Sequence, residues 1–167
     1  YFTSNKRYPV LYLQDGQNLY NDYAPFGTWG VDKSMTKLAE EGKGDVIIIA
    51  IDHGGVDRIE EFNPFPTKKL SNSQGRNYVN FLKDTLKPYV DSHYRTLPDR
   101  ENTAIGGSSM GGLITIYSGF RYPETFGKLM VFSPSLWVNP NISSRCIFTN
   151  CSNPKFIYML VQEKELR

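Results

Sequence analysis

Residues 103–117 read TAIGGSSMGGLITIY, a short apolar run followed by glycines, two serines and a second apolar segment. The pattern G-x-S-x-G selects Ser109, because Met110 rather than glycine stands two positions after Ser108. A strand-to-helix turn that projects its central side chain brings neighbouring backbones together, and glycines two positions to either side leave room. The stretch therefore predicts a strand, a sharp turn at Ser109 and a helix whose first amides face a developing oxyanion.

Strands and helices alternate along the rest of the chain. Apolar runs predict strands at 8–15, 45–52, 101–107, 127–135 and 154–162. Helical spacing of apolar residues predicts helices at 30–42, 75–95 and 110–123, the second kinked by an internal proline. We therefore predict a three-layer α/β domain with a mostly parallel central sheet.

Three features of this pattern carry specific expectations. The run 45–52 is rich in β-branched residues and hardly alternates, which is typical of a strand covered on both faces. The segment 53–74 is rich in Gly, Pro and Asn and is predicted to be one long loop, a feature often tied to function. In the helix at 75–95 we expect six residues on the buried face, namely Tyr78, Phe81, Leu82, Leu86, Tyr89 and Val90.

Composition excludes several classes of protein. The chain has 167 residues, 40% of them hydrophobic, and a net charge of +2, which suits one globular domain and does not indicate nucleic-acid binding. No apolar run approaches 18 residues, so no transmembrane helix is expected. We expect no metal or organic cofactor, and a cytoplasmic location, with secretion as the alternative. Whether Cys146 and Cys151 form a disulfide is left open.

Several segments of the chain resemble a known family. The segments RYPVLYLQDGQNLY, DVIIIAIDHGG and TAIGGSSMGGLITIYSGFRYPETFGKLMVFSPSLW are similar to the esterase family of the α/β-hydrolase superfamily, which includes feruloyl esterases, siderophore esterases and mycolyltransferase-type antigens. The resemblance implies an α/β-hydrolase fold and a serine esterase. Ser109 matches the family nucleophile, and the backbone N–H of Met110 matches one oxyanion donor. Gln17, in the loop after the first strand, is the candidate for the other donor.

The base and the acid of the expected catalytic triad are harder to place. The sequence has two histidines, His53 and His93, and both precede Ser109, whereas α/β-hydrolases have the order Ser, acid, His. Recruitment of His53 as the base is a minor alternative, and His93 is interpreted as a packing or capping residue. The resemblance places the acid at Glu165 and the histidine beyond the last residue. We therefore expect 1–167 to be a single esterase domain that is incomplete at both ends.

Further residues are candidates for the surroundings of the site. His53, Trp29 and Trp137 are predicted to bind substrate, although core packing explains the two tryptophans equally well. Asp15, at the end of the first strand, is expected to shape the neighbouring loop.

Three other polar features are interpreted more conservatively. Arg58 and Glu61 are expected to form an ion pair that braces the long loop. Ser133 and Ser135 lie near the site but lack the glycine context of Ser109.

Two functions follow from these observations. The first is hydrolysis of a small-molecule carboxylic ester through an acyl-enzyme on Ser109. The second is a non-catalytic module that keeps the α/β-hydrolase fold and the serine turn but lacks a working triad. A phosphate-binding loop is the competing interpretation of the glycines around Ser109. It is disfavoured, because the pattern G-x-x-x-x-G-K-[ST] is absent from the sequence.

Overall fold

The structure is a computed structural model that describes residues 5–24, 27–68, 70–142, 144 and 156–160. Its centre is a five-stranded sheet. All neighbouring strands are parallel, and their order is β2-β1-β3-β4-β5. The strands are β1 (Val10–Gln14), β2 (Ile47–Ile51), β3 (Thr103–Ser108), β4 (Lys128–Phe132) and β5 (Phe156–Leu160). The predicted α/β architecture with a parallel sheet is confirmed.

Helices connect most of these strands. They are α1 (Val31–Glu40), α2 (Arg58–Glu61), α3 (Gly75–Phe81), α4 (Lys87–His93) and α5 (Met110–Arg121), with short 3-10 turns at Gly16–Asn18, Gly55–Asp57 and Arg100–Asn102. In such a sheet all strands end at the same edge, so the segments that follow β1, β3 and β4 meet there.

Helix α5 forms the centre of the core. Every residue from Met110 to Gly119 is buried, because the helix packs directly on β3 and β4. A Cβ at Gly119 would lie 2.4 Å from Cδ1 of Leu129, so glycine permits this close approach of helix and sheet. The hydroxyls of Thr115 and Ser118 donate to carbonyls one turn earlier, at 2.8 and 2.7 Å, which satisfies two polar groups in an apolar environment.

Two of the expectations about burial are wrong. Strand β2 is an edge strand of the described sheet. Its first three residues are partly buried, Ala50 is exposed and only Ile51 is buried, so it is not covered on both faces. In the helical segment after residue 75, Phe81 and Tyr89 are 45% and 55% exposed, whereas Leu82 and Val90 are buried as expected. The buried stripe of this helical segment is therefore narrower than the apolar spacing predicted.

Two expectations about regular structure also need correction. The segment 53–74 is not one irregular loop, since it contains the turn Gly55–Asp57 and helix α2. The helix predicted at 75–95 is interrupted by a π-helical turn at Leu82–Leu86, which ends two residues before Pro88. Proline has no amide hydrogen to donate, so a local change of hydrogen-bond register before it accommodates the residue. In the described part of the chain, no helix combines the length and apolar character needed to cross a bilayer.

Candidate functional site

Ser109 occupies the tight turn between β3 and α5. Its backbone has φ 57° and ψ −118°, a conformation that residues with a Cβ rarely adopt. Three backbone hydrogen bonds hold it there. Its N–H donates to the Phe132 carbonyl, and its own carbonyl accepts from the N–H groups of Leu113 and Ser135, each at 3.0 Å. The residue remains exposed, so the turn presents its hydroxyl to solvent.

The glycines of the motif lie in crowded positions. A Cβ at Gly107 would lie 2.7 Å from the carbonyl carbon of Gly111, a separation that real Cβ atoms essentially never show. A Cβ at Gly111 would lie 3.0 Å from the Asp15 carboxylate, a tight contact in which that side chain would have to shift by a few tenths of an ångström. The steric reason inferred from the G-x-S-x-G spacing is therefore confirmed at Gly107, and the crowding at Gly111 is milder.

The two predicted oxyanion donors lie at the same edge of the sheet. Met110 is the first residue of α5, where backbone amides have no intrahelical partner and carry the positive end of the helix dipole. Gln17 lies in the short turn after β1. Its side-chain amide donates to the His53 carbonyl at 2.9 Å and accepts from the His53 N–H at 3.2 Å, which ties this turn to the segment after β2. The roles of both backbone amides stay predictions.

A cleft of about 380 Å³ opens in front of Ser109. Its walls are formed by Asp15, Asn18, Trp29, Arg58, Ser108 and Ser109. The Trp29 ring packs edge-on against Phe132 with 5.6 Å between ring centres and is 38% exposed. Trp29 therefore lines the cleft and also packs against the end of β4, and its contact with substrate stays a prediction.

Asp15 and Arg58 form a largely buried ion pair in the cleft wall. The Arg58 Nε and Nη2 atoms donate to the two Asp15 carboxylate oxygens at 2.5 and 2.8 Å. The side chains are 24% exposed for Arg58 and 6% for Asp15, and the guanidinium lies over the Phe62 ring at 5.2 Å. The predicted ion pair between Arg58 and Glu61 is wrong, because the Glu61 carboxylate instead accepts the N–H of Gly54 at 2.8 Å.

Behind the Ser109 turn, a buried polar pair links the sheet to α3. The hydroxyl of Tyr78 donates to Oε1 of Gln14, a residue with no exposed surface. Burial raises the pKa of Tyr78 far above its ordinary value, and the carboxylates of Glu61 and Asp15 raise it further. Tyr78 is therefore a neutral donor, and the Gln14 side chain packs against the Cα positions of the motif glycines.

Ser135 contacts Ser109, although its lack of the glycine context had given no reason to expect a role for it. Its hydroxyl lies 3.0 Å from the Ser109 hydroxyl, and it is only 4% exposed. Arg58 and Asn18 were likewise not expected in the cleft wall. The available signal was topological, since these residues follow strands that end at the same edge of the sheet.

The remaining candidates lie away from the cleft wall. His53 accepts the Gly55 N–H at Nδ1, at 3.0 Å, and Trp137 is 71% exposed; neither lines the cleft. Their contact with substrate stays a prediction. His93 stacks on Tyr89 at 4.0 Å near the end of α4, consistent with the structural role expected for it.

Some expectations concern residues outside the part of the chain that the structure describes. Glu165, Cys146 and Cys151 belong to this group. Within the described ranges, no three His, Cys, Asp or Glu side chains are grouped to hold a metal ion.

Comparison with known proteins shows the family. The family model described as "Putative esterase" matches residues 1–156, and the chain belongs to that family. It is 30% identical over 165 residues to an endo-1,4-beta-xylanase/feruloyl esterase of Xylanibacter ruminicola, a match that covers 94% of this chain and 22% of that protein. It is also 23% identical over 143 residues to the uncharacterized protein YbbA of Bacillus subtilis, covering 82% of this chain and 54% of YbbA.

Solved structures share the fold. An IroE-like serine hydrolase from Shewanella oneidensis superimposes with a TM-score of 0.76 at 20% identity, covering 95% of this chain and 52% of that one. The chain thus spans about half, or less, of the length of these relatives. At this level of identity the superposition establishes the α/β-hydrolase-like fold.

Proposed function

We propose that the protein hydrolyses small-molecule carboxylic esters through an acyl-enzyme on Ser109. The observation that carries the proposal is the exposed Ser109 hydroxyl, held at positive φ between β3 and α5 and facing a cleft that also contains a guanidinium. A strand–turn–helix context is what distinguishes a nucleophilic serine from a glycine-rich turn. Membership of the esterase family supports the same reaction class.

Ester cleavage creates negative charge on the carbonyl oxygen, and the cleft offers donors for it. The amides of Met110 and Gln17 are the predicted backbone donors. Arg58 adds a guanidinium to the same cleft, and the two hydrogen bonds that it donates to the Asp15 carboxylate hold it in place before the substrate arrives. Donors that need no reorganisation stabilise a transition state most effectively. We therefore include Arg58 among the groups that stabilise the oxyanion.

The proton and bond changes follow from this arrangement. The oxygen of Ser109 forms a bond to the acyl carbon, its proton passes to a general base, and the alcohol leaves with that proton; water then releases the acid by the reverse path. The base is proposed to be the histidine that the family resemblance places after residue 167. Glu165 remains the proposed acid that orients it, and residues 1–167 are proposed to be part of a single esterase domain.

Hydrolysis of a small ester panel tests this function. The product of the complete gene is assayed with p-nitrophenyl esters, feruloyl esters and acetylated sugars, alongside Ser109→Ala and the matched control Ser133→Ala. We expect turnover of at least one ester class, a loss of at least about 1,000-fold in Ser109→Ala, and little change in the control.

The outcome separates the enzyme from the non-catalytic alternative. Turnover that survives in folded Ser109→Ala would contradict the proposed nucleophile. A folded gene product that hydrolyses none of the esters and reacts with no serine-directed probe would favour a non-catalytic module.

A further inference from the structure

The hydroxyl of Ser135 faces the hydroxyl of Ser109 from the neighbouring strand end. The two oxygens are 3.0 Å apart, and Ser135 is 4% exposed whereas Ser109 is exposed. Ser135 follows β4, which pairs with β3 so that Ser108 lies opposite Phe132. This register carries the chain after β4 past the Ser109 turn.

The backbone holds the two serines side by side. The N–H of Ser135 donates to the Ser109 carbonyl at 3.0 Å, and the N–H of Ser109 donates to the Phe132 carbonyl at 3.0 Å. The segment after β4 also packs closely on α5, because a Cβ at Gly112 would lie 3.1 Å from Cα of Pro134. With the two backbones held in place, the side-chain rotamers of the two serines bring their oxygens to 3.0 Å.

Donor capacity and burial indicate which of the two serine hydroxyls donates to the other. A serine hydroxyl has one hydrogen to donate and two lone pairs that accept. Among the described residues, the Ser109 oxygen is the partner of the buried Ser135 hydroxyl, and buried donors are almost always satisfied. Ser109 is exposed, so its own hydrogen has access to the cleft. The arrangement that satisfies both groups has Ser135 donating to Ser109.

We propose that Ser135 is a catalytic residue that donates a hydrogen bond to the Ser109 oxygen during both half-reactions. This inference rests on the proposed function. As Ser109 attacks, its proton goes to the general base and its oxygen bonds to the acyl carbon; the bond to the alcohol oxygen then breaks, and the alcohol leaves with the proton from the base. Water next gives a proton to the base and bonds to the acyl carbon, and the bond to the Ser109 oxygen breaks as Ser109 regains that proton. Ser135 keeps its proton throughout and stabilises the negative charge that builds on the Ser109 oxygen, first as nucleophile and later as leaving group.

A hydroxyl that donates to an oxygen gaining charge lowers the barrier more than it affects substrate binding. Removing it should therefore reduce kcat roughly 10- to 100-fold, the rate equivalent of one hydrogen bond to a charged group. KM should stay within about twofold of its original value. The rate of labelling by a fluorophosphonate probe should fall by a similar factor, because that reaction requires the same attack by Ser109.

The experiment compares Ser135→Ala with the control Ser133→Ala in the complete gene product. Both serines lie in the same segment, and the described contacts of Ser133 do not include Ser109. We expect slow turnover and slow labelling in Ser135→Ala and near-normal rates in the control, with intact thermal unfolding in both. Equal or faster labelling of folded Ser135→Ala, or equal losses in the two variants, would overturn the inference.

A second pair of variants tests the inference if Ser135→Ala does not fold. Ser135→Thr and Ser135→Val have nearly the same shape, and only threonine keeps the hydroxyl. Labelling at least about tenfold faster in Ser135→Thr supports the inference, and equal rates contradict it. Hydrolysis that persists in Ser109→Ala would instead contradict the proposed function. Failure of the inference about Ser135 and failure of the proposed function are therefore distinguishable.

Discussion

Replacing Ser109 by glycine should give a more stable protein than replacing it by alanine. Ser109 has φ 57° and ψ −118°, and a Cβ makes that conformation unfavourable whereas glycine adopts it freely. Both variants lose the hydroxyl and its contact with Ser135. Their difference in unfolding free energy therefore reports the strain that the Cβ imposes on the turn, less the extra conformational entropy that glycine loses on folding.

The size of the effect follows from two opposing contributions. Relief of backbone strain at such a position is worth about 1–3 kcal/mol. Glycine also loses more conformational entropy on folding, which costs about 0.5–1 kcal/mol relative to alanine. We expect Ser109→Gly to be more stable than Ser109→Ala by roughly 1 kcal/mol, or about 2–4 °C in Tm for a domain of this size.

Urea unfolding followed by circular dichroism measures this difference. Ser108 provides the matched control, because it ends β3 and is not among the described residues with positive φ. There glycine should be less stable than alanine by about 0.5–1 kcal/mol. The reasoning is refuted if Ser109→Gly is less stable than Ser109→Ala by a margin like that at residue 108.

Three further perturbations have defined outcomes. Gly107→Ala places a Cβ 2.7 Å from backbone atoms and should cost about 1–3 kcal/mol in thermal unfolding; wild-type stability would contradict the crowding. Arg58→Ala leaves the Asp15 carboxylate buried without its partner and should cost about 3 kcal/mol in urea unfolding, while Arg58→Lys should cost less. Asp99 caps the turn Arg100–Asn102, and hydrogen bonds from Asn102 hold the pKa of Asp99 below its ordinary 3.8. Asp99→Ala should therefore lower the free energy of unfolding by about 1 kcal/mol near neutral pH, and the difference from the wild type should shrink as the pH falls below 3.8. A difference that does not change with pH would show that the Asp99 cap does not act through its charge.

The Ser109 turn could be predicted from the sequence because its determinants are local. An apolar strand, paired glycines and an apolar helix occur within fifteen consecutive residues, and each is fixed by backbone sterics. The parallel sheet followed from the alternation of strands and helices for the same reason. Strand β2 shows the limit of such reasoning, since β-branched composition alone does not tell whether a strand lies at an edge.

The surroundings of Ser109 could not be predicted because they depend on tertiary contacts. Arg58 lies 43 positions from Asp15 and three from Glu61, and the short separation along the chain favoured the nearer carboxylate. Tertiary packing decided otherwise, because the buried Asp15 gains more from a charged partner than a carboxylate that a backbone amide already satisfies. The contact of Ser135 with Ser109 required the register between β3 and β4, which the sequence does not specify.

Mapping the site of covalent labelling tests the central claim most directly. The complete gene product is treated with a fluorophosphonate, digested and analysed by tandem mass spectrometry, with Ser109→Ala treated in parallel. Our account predicts one modified serine, Ser109, and no labelling of the variant. Modification of a different serine, or a folded protein that remains unmodified while a known serine esterase reacts under the same conditions, would contradict it.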